Sequence, residues 1–229
     1  MTDLEFQHSP PVARQIVAEA VGSFLLFATV VGSGIMAERL AGGNDAVALL
    51  ANTVATGGIL FVLITMLAPI SGAQMNPAVS IVAALRRDIP WRTAVIFIVA
   101  QLVAGILGVW AAHCMFDLPL LQFSDKVRTG PGQWLGEFIA TFGLILTIIG
   151  TVRHKPAWIA PAVALYITAA YWVTSSTSFA NPAITVARSL SDSFAGIAPA
   201  DVPGFIVAQL AGAFAASVLG SYLFPNAPV

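Results

Sequence analysis

The chain predicts an all-α membrane protein: six transmembrane helices plus two re-entrant half-helices in an inverted repeat. Three observations carry this. The 229 residues are 58% hydrophobic and only 9% charged, against about 25% charged in a soluble globular chain. Apolar stretches of roughly 20 residues, the length that a spanning helix requires, recur along the sequence. The triplet Asn-Pro-Ala occurs at Asn76-Pro77-Ala78 and again at Asn181-Pro182-Ala183, each time interrupting strongly apolar sequence. Such paired interruptions in corresponding halves of a chain mark an inverted repeat with a central site.

In order along the chain, residues 1–11 carry Asp3 and Glu5 and no basic residue. That is unlike the basic start of a signal peptide, so the apolar segment that follows is expected to remain as the first span, over about 13–37. The second is expected over about 46–68. The first triplet then begins a short helix over about 77–85: asparagine is a good N-cap because its side-chain oxygen accepts an orphan N–H. Proline is tolerated beside it because the first N–H of a helix has no partner to lose. The third span falls over about 93–115. In the second half, spans are expected over about 132–152, 157–176 and 202–224, with a second short helix over about 182–190. Residues 70–75 and 175–180, ahead of the two short helices, read as non-helical backbone at membrane depth. Such backbone is permitted only where protein buries it or it lines a wet cavity.

The halves, about 12–116 and about 132–225 of a single domain spanning 1–229, share further marks. Glu19 precedes Gly22-Ser23-Phe24 in the first span, and Glu137 precedes Ala140-Thr141-Phe142 in the fourth. Gln101 and Gln209 stand in the matching runs Ala100-Gln101-Leu102 and Ala208-Gln209-Leu210. Three spans per half is an odd number, so the second half enters the membrane from the opposite side. With both termini in the cytoplasm, Arg14, Arg86, Arg87, Arg92, Arg153 and Lys155 face inward, and Arg39, Lys126, Arg128 and Arg188 outward. The positive-inside rule favours this orientation in a cell's inner (plasma) membrane.

Other features bound the function. Net charge is −1 and no basic tract occurs, which excludes nucleic acid as an expected partner. Cys114 is the only cysteine; it can form no intrachain disulfide and is expected to be a small buried hydrophobe. Trp91, Trp134 and Trp158 near helix ends read as interface anchors. Glycines such as Gly22, Gly105, Gly108 and Gly212 let transmembrane backbones approach closely. Nothing in the sequence resembles a metal site, a nucleotide loop or a nucleophile–base pair, so no cofactor, no metal and no enzyme activity is expected.

The two short helices, entering from opposite sides, would meet near the midplane with Asn76 and Asn181 at their starts. Each helix start carries roughly half a positive charge, so the pair repels cations. The Asn oxygens would be engaged in capping, which leaves amide N–H donors for a neutral, oxygen-bearing solute. The loop carbonyls would accept its protons.

The motifs Ser71-Gly72-Ala73-Gln74-Met75-Asn76-Pro77-Ala78-Val79 and Phe179-Ala180-Asn181-Pro182-Ala183, together with Glu19, Glu137, Gln101 and Gln209, resemble the aquaporin (major intrinsic protein) family over residues 12–224. The resemblance implies an aquaporin-like fold, a pore in every protomer of a homotetramer surrounded by membrane lipid, and passive conduction of small neutral solutes. It also implies that Glu19 and Glu137 brace the two loops through hydrogen bonds to backbone, in keeping with the rule that an intramembrane carboxylate has a partner and a task. Proton carriage is the rival reading of these residues.

The departures from the family pattern matter as much. Three residues after the second Asn, where most members carry an arginine at the outer constriction, this chain has Ile184. Counting from the triplets places Ser178 and Thr56 in the same selectivity filter. The fifth-helix position falls on Ala169 in an ungapped count and on Tyr171 with a two-residue gap. Such a filter is wider and less charged than that of a strict water channel. Arg188, one turn beyond Ile184 on the same face, is expected in solvent or among lipid headgroups, with the pore mouth as the other place it can reach. The run Thr177-Ser178-Phe179-Ala180-Asn181-Pro182-Ala183 with an aliphatic residue next, followed by Arg188-Ser189-Leu190-Ser191-Asp192, is similar to the bacterial aquaporin S-type channels associated with arsenic resistance. That similarity implies metalloid hydroxides such as arsenite (arsenous acid), and methylated arsenicals, as solutes; glycerol and water are the alternatives within the family. In other classes, an inverted repeat also fits a secondary active transporter, and a non-conducting membrane protein of the same fold is a third reading.

Overall fold

The computed structural model describes residues 10–225; Asp3 and Glu5 lie outside them. Its helices are α1 (Val12–Leu40), α2 (Asp45–Ser71), α3 (Pro77–Leu85), α4 (Trp91–Met115), α5 (Pro131–His154), α6 (Ile159–Val173), α7 (Pro182–Arg188) and α8 (Val202–Leu223). Single 3-10 turns at Pro156–Trp158 and Pro199–Asp201 lead into α6 and α8. Six of the helical segments are long and apolar enough to span a membrane; α3 and α7 are the two short ones.

Several boundaries differ from the expectation, and two of them adjoin the loops ahead of the short helices. The helix α2 runs through Pro69 and ends at Ser71, so irregular backbone begins at Gly72 rather than at residue 70. Gly72 sets that end: it takes a left-handed φ of 86° and its N–H returns to Ala68 O at 3.0 Å, the conformation in which glycine commonly closes a helix. The helix α6 stops at Val173, three residues short of the expected end, because the chain must already turn toward the second triplet there.

The packing repeats between halves. The first span α1 lies against α4 and α2, and α5 lies against α8 and α6, while α2 against α6 joins the halves. Each half-helix packs against the last spans of both halves, and both α3 and α7 lean more on α4 than on α8. The tightest contacts are backbone to backbone. A Cβ at Gly108 would lie 2.3 Å from Phe24 O, and one at Gly212 2.3 Å from Phe138 O. Only glycine permits α4 to sit this close to α1 and α8 to α5, the small-residue contact that holds membrane helices together.

Near the C-terminal end of α4, His113 is fully buried while Cys114 is exposed. Cys114 is thus not a packed hydrophobe; successive helical residues point about 100° apart, and the buried direction belongs to His113. Its ring nitrogens meet Leu120 O at 3.2 Å and Ser191 Oγ at 2.9 Å, tying the loop after α4 to the loop after α7.

Candidate functional site

The loops before α3 and α7 have the same backbone. Positive φ occurs four, three and one residues before each triplet asparagine: at Gly72, Ala73 and Met75 (86°, 47° and 46°) and at Thr177, Ser178 and Ala180 (61°, 51° and 49°). Non-glycine residues held there cost about 1–3 kcal/mol each and persist only where surroundings over-determine them. Two buried carboxylates supply that constraint. Glu19 accepts from Ser71 Oγ (2.6 Å), Gln74 N (2.8 Å), Met75 N (2.6 Å) and Gln101 Nε2 (2.9 Å). Glu137 accepts from Phe179 N (2.8 Å), Ala180 N (2.9 Å) and Gln209 Nε2 (2.6 Å). The same glutamines reach Ser80 Oγ and Thr185 Oγ1 on the half-helices, at 3.0 and 2.9 Å. Each carboxylate therefore fixes one loop, one half-helix and one span.

The asparagines meet across the junction. Asn76 Nδ2 donates to Ala180 O and Asn181 Nδ2 to Met75 O, each at 2.8 Å. Their oxygens cap the half-helices: Asn76 accepts from Ala78 N at 2.9 Å, and Asn181 from Ala183 N at 3.0 Å and Ile184 N at 3.3 Å. One amide N–H of each is thus committed to the opposite loop. The expectation gave these amide donors to a passing solute; the second N–H of each remains for that. Pro77, Ala78, Pro182 and Ala183 are buried behind the asparagines and do not line the lumen.

Both asparagines face a cavity of about 140 Å³ bounded by α2, α5, α6 and the two loops. One wall is apolar, with Leu60, Ile64, Ile148, Val163 and Ile167; the other is loop backbone from Gly72 to Asn76 and from Ser178 to Asn181. At the end of the cavity toward the C-terminus of α7 stand Thr56, Tyr171, Ser178, Ile184 and Arg188. Thr56 Oγ1 and Tyr171 OH lie 3.2 Å apart. Ser178 lines the lumen, but its Oγ is buried, with no partner among the described residues.

Two positions fall elsewhere than expected. Ala169 is exposed on the outside of α6, away from the cavity, and Tyr171 lines it instead. Two residues along a helix turn the side chain through about 200°, so a two-residue gap decides between lumen and exterior. Arg188 lies neither in solvent nor among headgroups: it is 2% exposed and lines the cavity. Its Nε donates to Ala195 O, and its guanidinium carbon stands 3.3 Å from the Phe179 ring centroid.

Arg128 is a site residue that sequence reasoning placed only among the outer cations. It is buried, with Nε on Gly196 O at 2.7 Å, Nη1 on Ser176 O at 3.2 Å, and its carbon 5.0 Å from the same Phe179 ring. Burial lowers its pKa to about 10, against an upward pull from Glu137 and Tyr171, so it stays protonated at neutral pH. No local pattern marks Arg128; a connector arginine becomes part of the mouth only through the fold.

A model of the Major intrinsic protein family matches residues 6–171. The chain belongs to that family. It is therefore a multi-pass membrane channel protein and not an enzyme. Over 219 residues it is 52% identical to aquaglyceroporin AqpS of Rhizobium meliloti (strain 1021), covering 95% of this chain and 94% of that one. It is 30% identical over 234 residues to the probable aquaporin TIP2-2 of Oryza sativa subsp. japonica, covering 94% and 90%. Among solved structures, the aquaglyceroporin from Plasmodium falciparum superposes with a TM-score of 0.69 over 94% of this chain and 96% of that one. At 20% identity this likeness is one of fold.

Proposed function

We propose that this major intrinsic protein is a passive channel for small neutral polyhydroxylated solutes, with arsenous acid foremost, methylated arsenicals beside it, and glycerol in the same shape class. The observation that carries the reading is the make-up of the outer constriction. Ile184 presents an apolar wall, while the hydrogen-bonded Thr56–Tyr171 pair brings hydroxyls to the lumen and Ser178 lines it beside them. A solute entering a narrow path sheds water and needs those lost hydrogen bonds replaced. A compact trihydroxylated molecule can bond this polar side while its remaining face lies on the apolar wall. The relative named an aquaglyceroporin supports the same solute class.

Passive flux is favoured over coupled transport by the state of the two carboxylates. Both are fully buried and spent on loop donors, which leaves neither free to bind Na⁺ or shuttle a proton. In this reading Glu19 and Glu137 brace the loops, Asn76 and Asn181 form the midpoint, and Thr56, Ser178, Ile184 and Tyr171 form the filter. The proposed assembly is a homotetramer in the inner membrane, with each protomer holding its own pore and both termini in the cytoplasm.

Stopped-flow uptake into proteoliposomes tests the reading. The wild-type protein is expected to pass arsenous acid and glycerol. Ile184→Arg is expected to lower both by about tenfold or more, equivalent to about 1.4 kcal/mol of barrier, with a smaller effect on water. Wild-type vesicles that admit water alone would sink the proposal.

A further inference from the structure

We infer that Arg188 is the charge- and size-selecting residue of the outer constriction, transposed by one helical turn from the place that Ile184 occupies, with the Phe179 ring as its seat. The inference rests on the cavity being the conduction path proposed above. It separates two tasks along α7: Ile184 sets an apolar width, and Arg188 supplies a fixed cation just outside it.

The placement follows from helix geometry. Residues 184 and 188 share a face of α7, and helical side chains lean back toward the helix start. That start is Asn181, at the junction of the two loops, so a long side chain at 188 falls back toward the lumen. The surroundings then fix it. The guanidinium lies on the Phe179 ring, a cation–π contact that a planar arginine suits better than a lysine. The Nε–H is tied to Ala195 O. Of the five N–H donors of a guanidinium, the other four have no partner among the described residues.

Packing alone does not explain such a residue. Among the described residues no carboxylate lies within ion-pair distance of Arg188, although it is buried. A buried charge without a counter-ion is costly, and an apolar side chain of similar volume would serve the fold as well or better. An unpaired cation lining a cavity, with free donors, is explained by what passes it. Arg128 shares the Phe179 ring, and Lys126, whose Nζ is held on Phe194 O at 2.8 Å, is close enough to both arginines for their charge to lower its pKa after burial has done so. Three cations thus gather at this mouth, with Glu38 and Asp45 acting on Lys126 in the opposite sense, and Arg188 is the one of the three that lines the cavity.

The test uses purified protein in proteoliposomes and reads two ratios rather than total flux: Na⁺ and H⁺ current relative to glycerol flux, and erythritol permeability relative to glycerol. Arg188→Leu is expected to raise the cation current about tenfold or more and to raise the erythritol-to-glycerol ratio several-fold. Arg188→Lys is expected to keep cations out but to raise the erythritol ratio, because an ammonium does not lie on the ring. A leucine variant with both ratios at wild-type values overturns the inference. So does one that lowers every flux by the same factor, since that marks a structural role. If the leucine variant does not fold, Arg188→Lys and Phe179→Leu decide through the erythritol ratio alone, and wild-type ratios in both overturn the inference. Wild-type vesicles that pass no glycerol would refute the proposed solute class instead, while cation current per reconstituted protein, wild type against Arg188→Leu, would still read Arg188.

Discussion

Glu19→Leu is expected to dismantle the first loop and stop conduction. The substitution takes one acceptor from four donors at once: Ser71 Oγ, Gln74 N, Met75 N and Gln101 Nε2. Each buried donor left unsatisfied costs about 1–3 kcal/mol. The sum is not fully realised, because donors of a chain unfolded within the membrane also find partners. The expected net loss is on the order of 4 kcal/mol. It is compounded locally, since the left-handed residues Ala73 and Met75 lose the constraint that holds them. Once they relax, Met75 O no longer meets Asn181, and the reciprocal pairing of the asparagines opens. Solute flux per folded protein should fall by at least about tenfold. Glu137→Leu should behave alike, with three donors orphaned. Glu19→Gln is the sharper probe: it keeps the shape and one acceptor but turns an NH₂ toward N–H donors. A Glu19→Gln protein with wild-type flux and a wild-type unfolding midpoint in denaturing detergent would end the bracing argument.

The second large effect belongs to Gly108→Val. At this position a Cβ would sit 2.3 Å from Phe24 O, 3.0 Å from Phe24 C and 3.1 Å from Phe24 Cα. All three are backbone atoms, so no side-chain rotation relieves the clash and α1 must move away from α4. Overpacking of this kind costs about 1–3 kcal/mol even in forgiving sites, and here it also draws Glu19 on α1 away from Gln101 on α4. The expected result is a loss of about 3 kcal/mol or more, seen as a lower thermal midpoint and loss of a monodisperse gel-filtration peak. Gly58→Ala, on the same fold, is the control. Nothing lies within 4 Å of its added Cβ, so it should be neutral or gain up to about 1 kcal/mol from helix propensity. If Gly108→Val matches Gly58→Ala in stability, the close approach of α1 and α4 is not needed.

Several features were legible in the sequence because they are local. Hydropathy and length give the six spans, and the paired triplets give the starts of α3 and α7 within a residue, since an Asn cap followed by proline has few other uses in apolar sequence. The register of Glu19 with Glu137, and of Gln101 with Gln209, could be read as a repeat before any contact was known. Other features were not legible. Ala169 and Tyr171 are both acceptable on an apolar helix, and Cys114 and His113 are neighbours in one. Arg188 could as well have faced headgroups, and Arg128 carried no signal at all.

The common cause is the solvent. In water, a helix announces its buried face by alternating with polar residues. In lipid, the outer face is as apolar as the core, so sequence gives a helix's existence but not its rotation. The sequence by itself therefore determined that this chain crosses a membrane six times, folds back twice and places an aliphatic residue at 184. The tertiary structure alone decided which side chains reach the lumen: Tyr171 rather than Ala169, and the guanidinium of Arg188 laid on Phe179. Those choices depend on helix rotation and on contacts between loops far apart in the chain, and no local pattern encodes either.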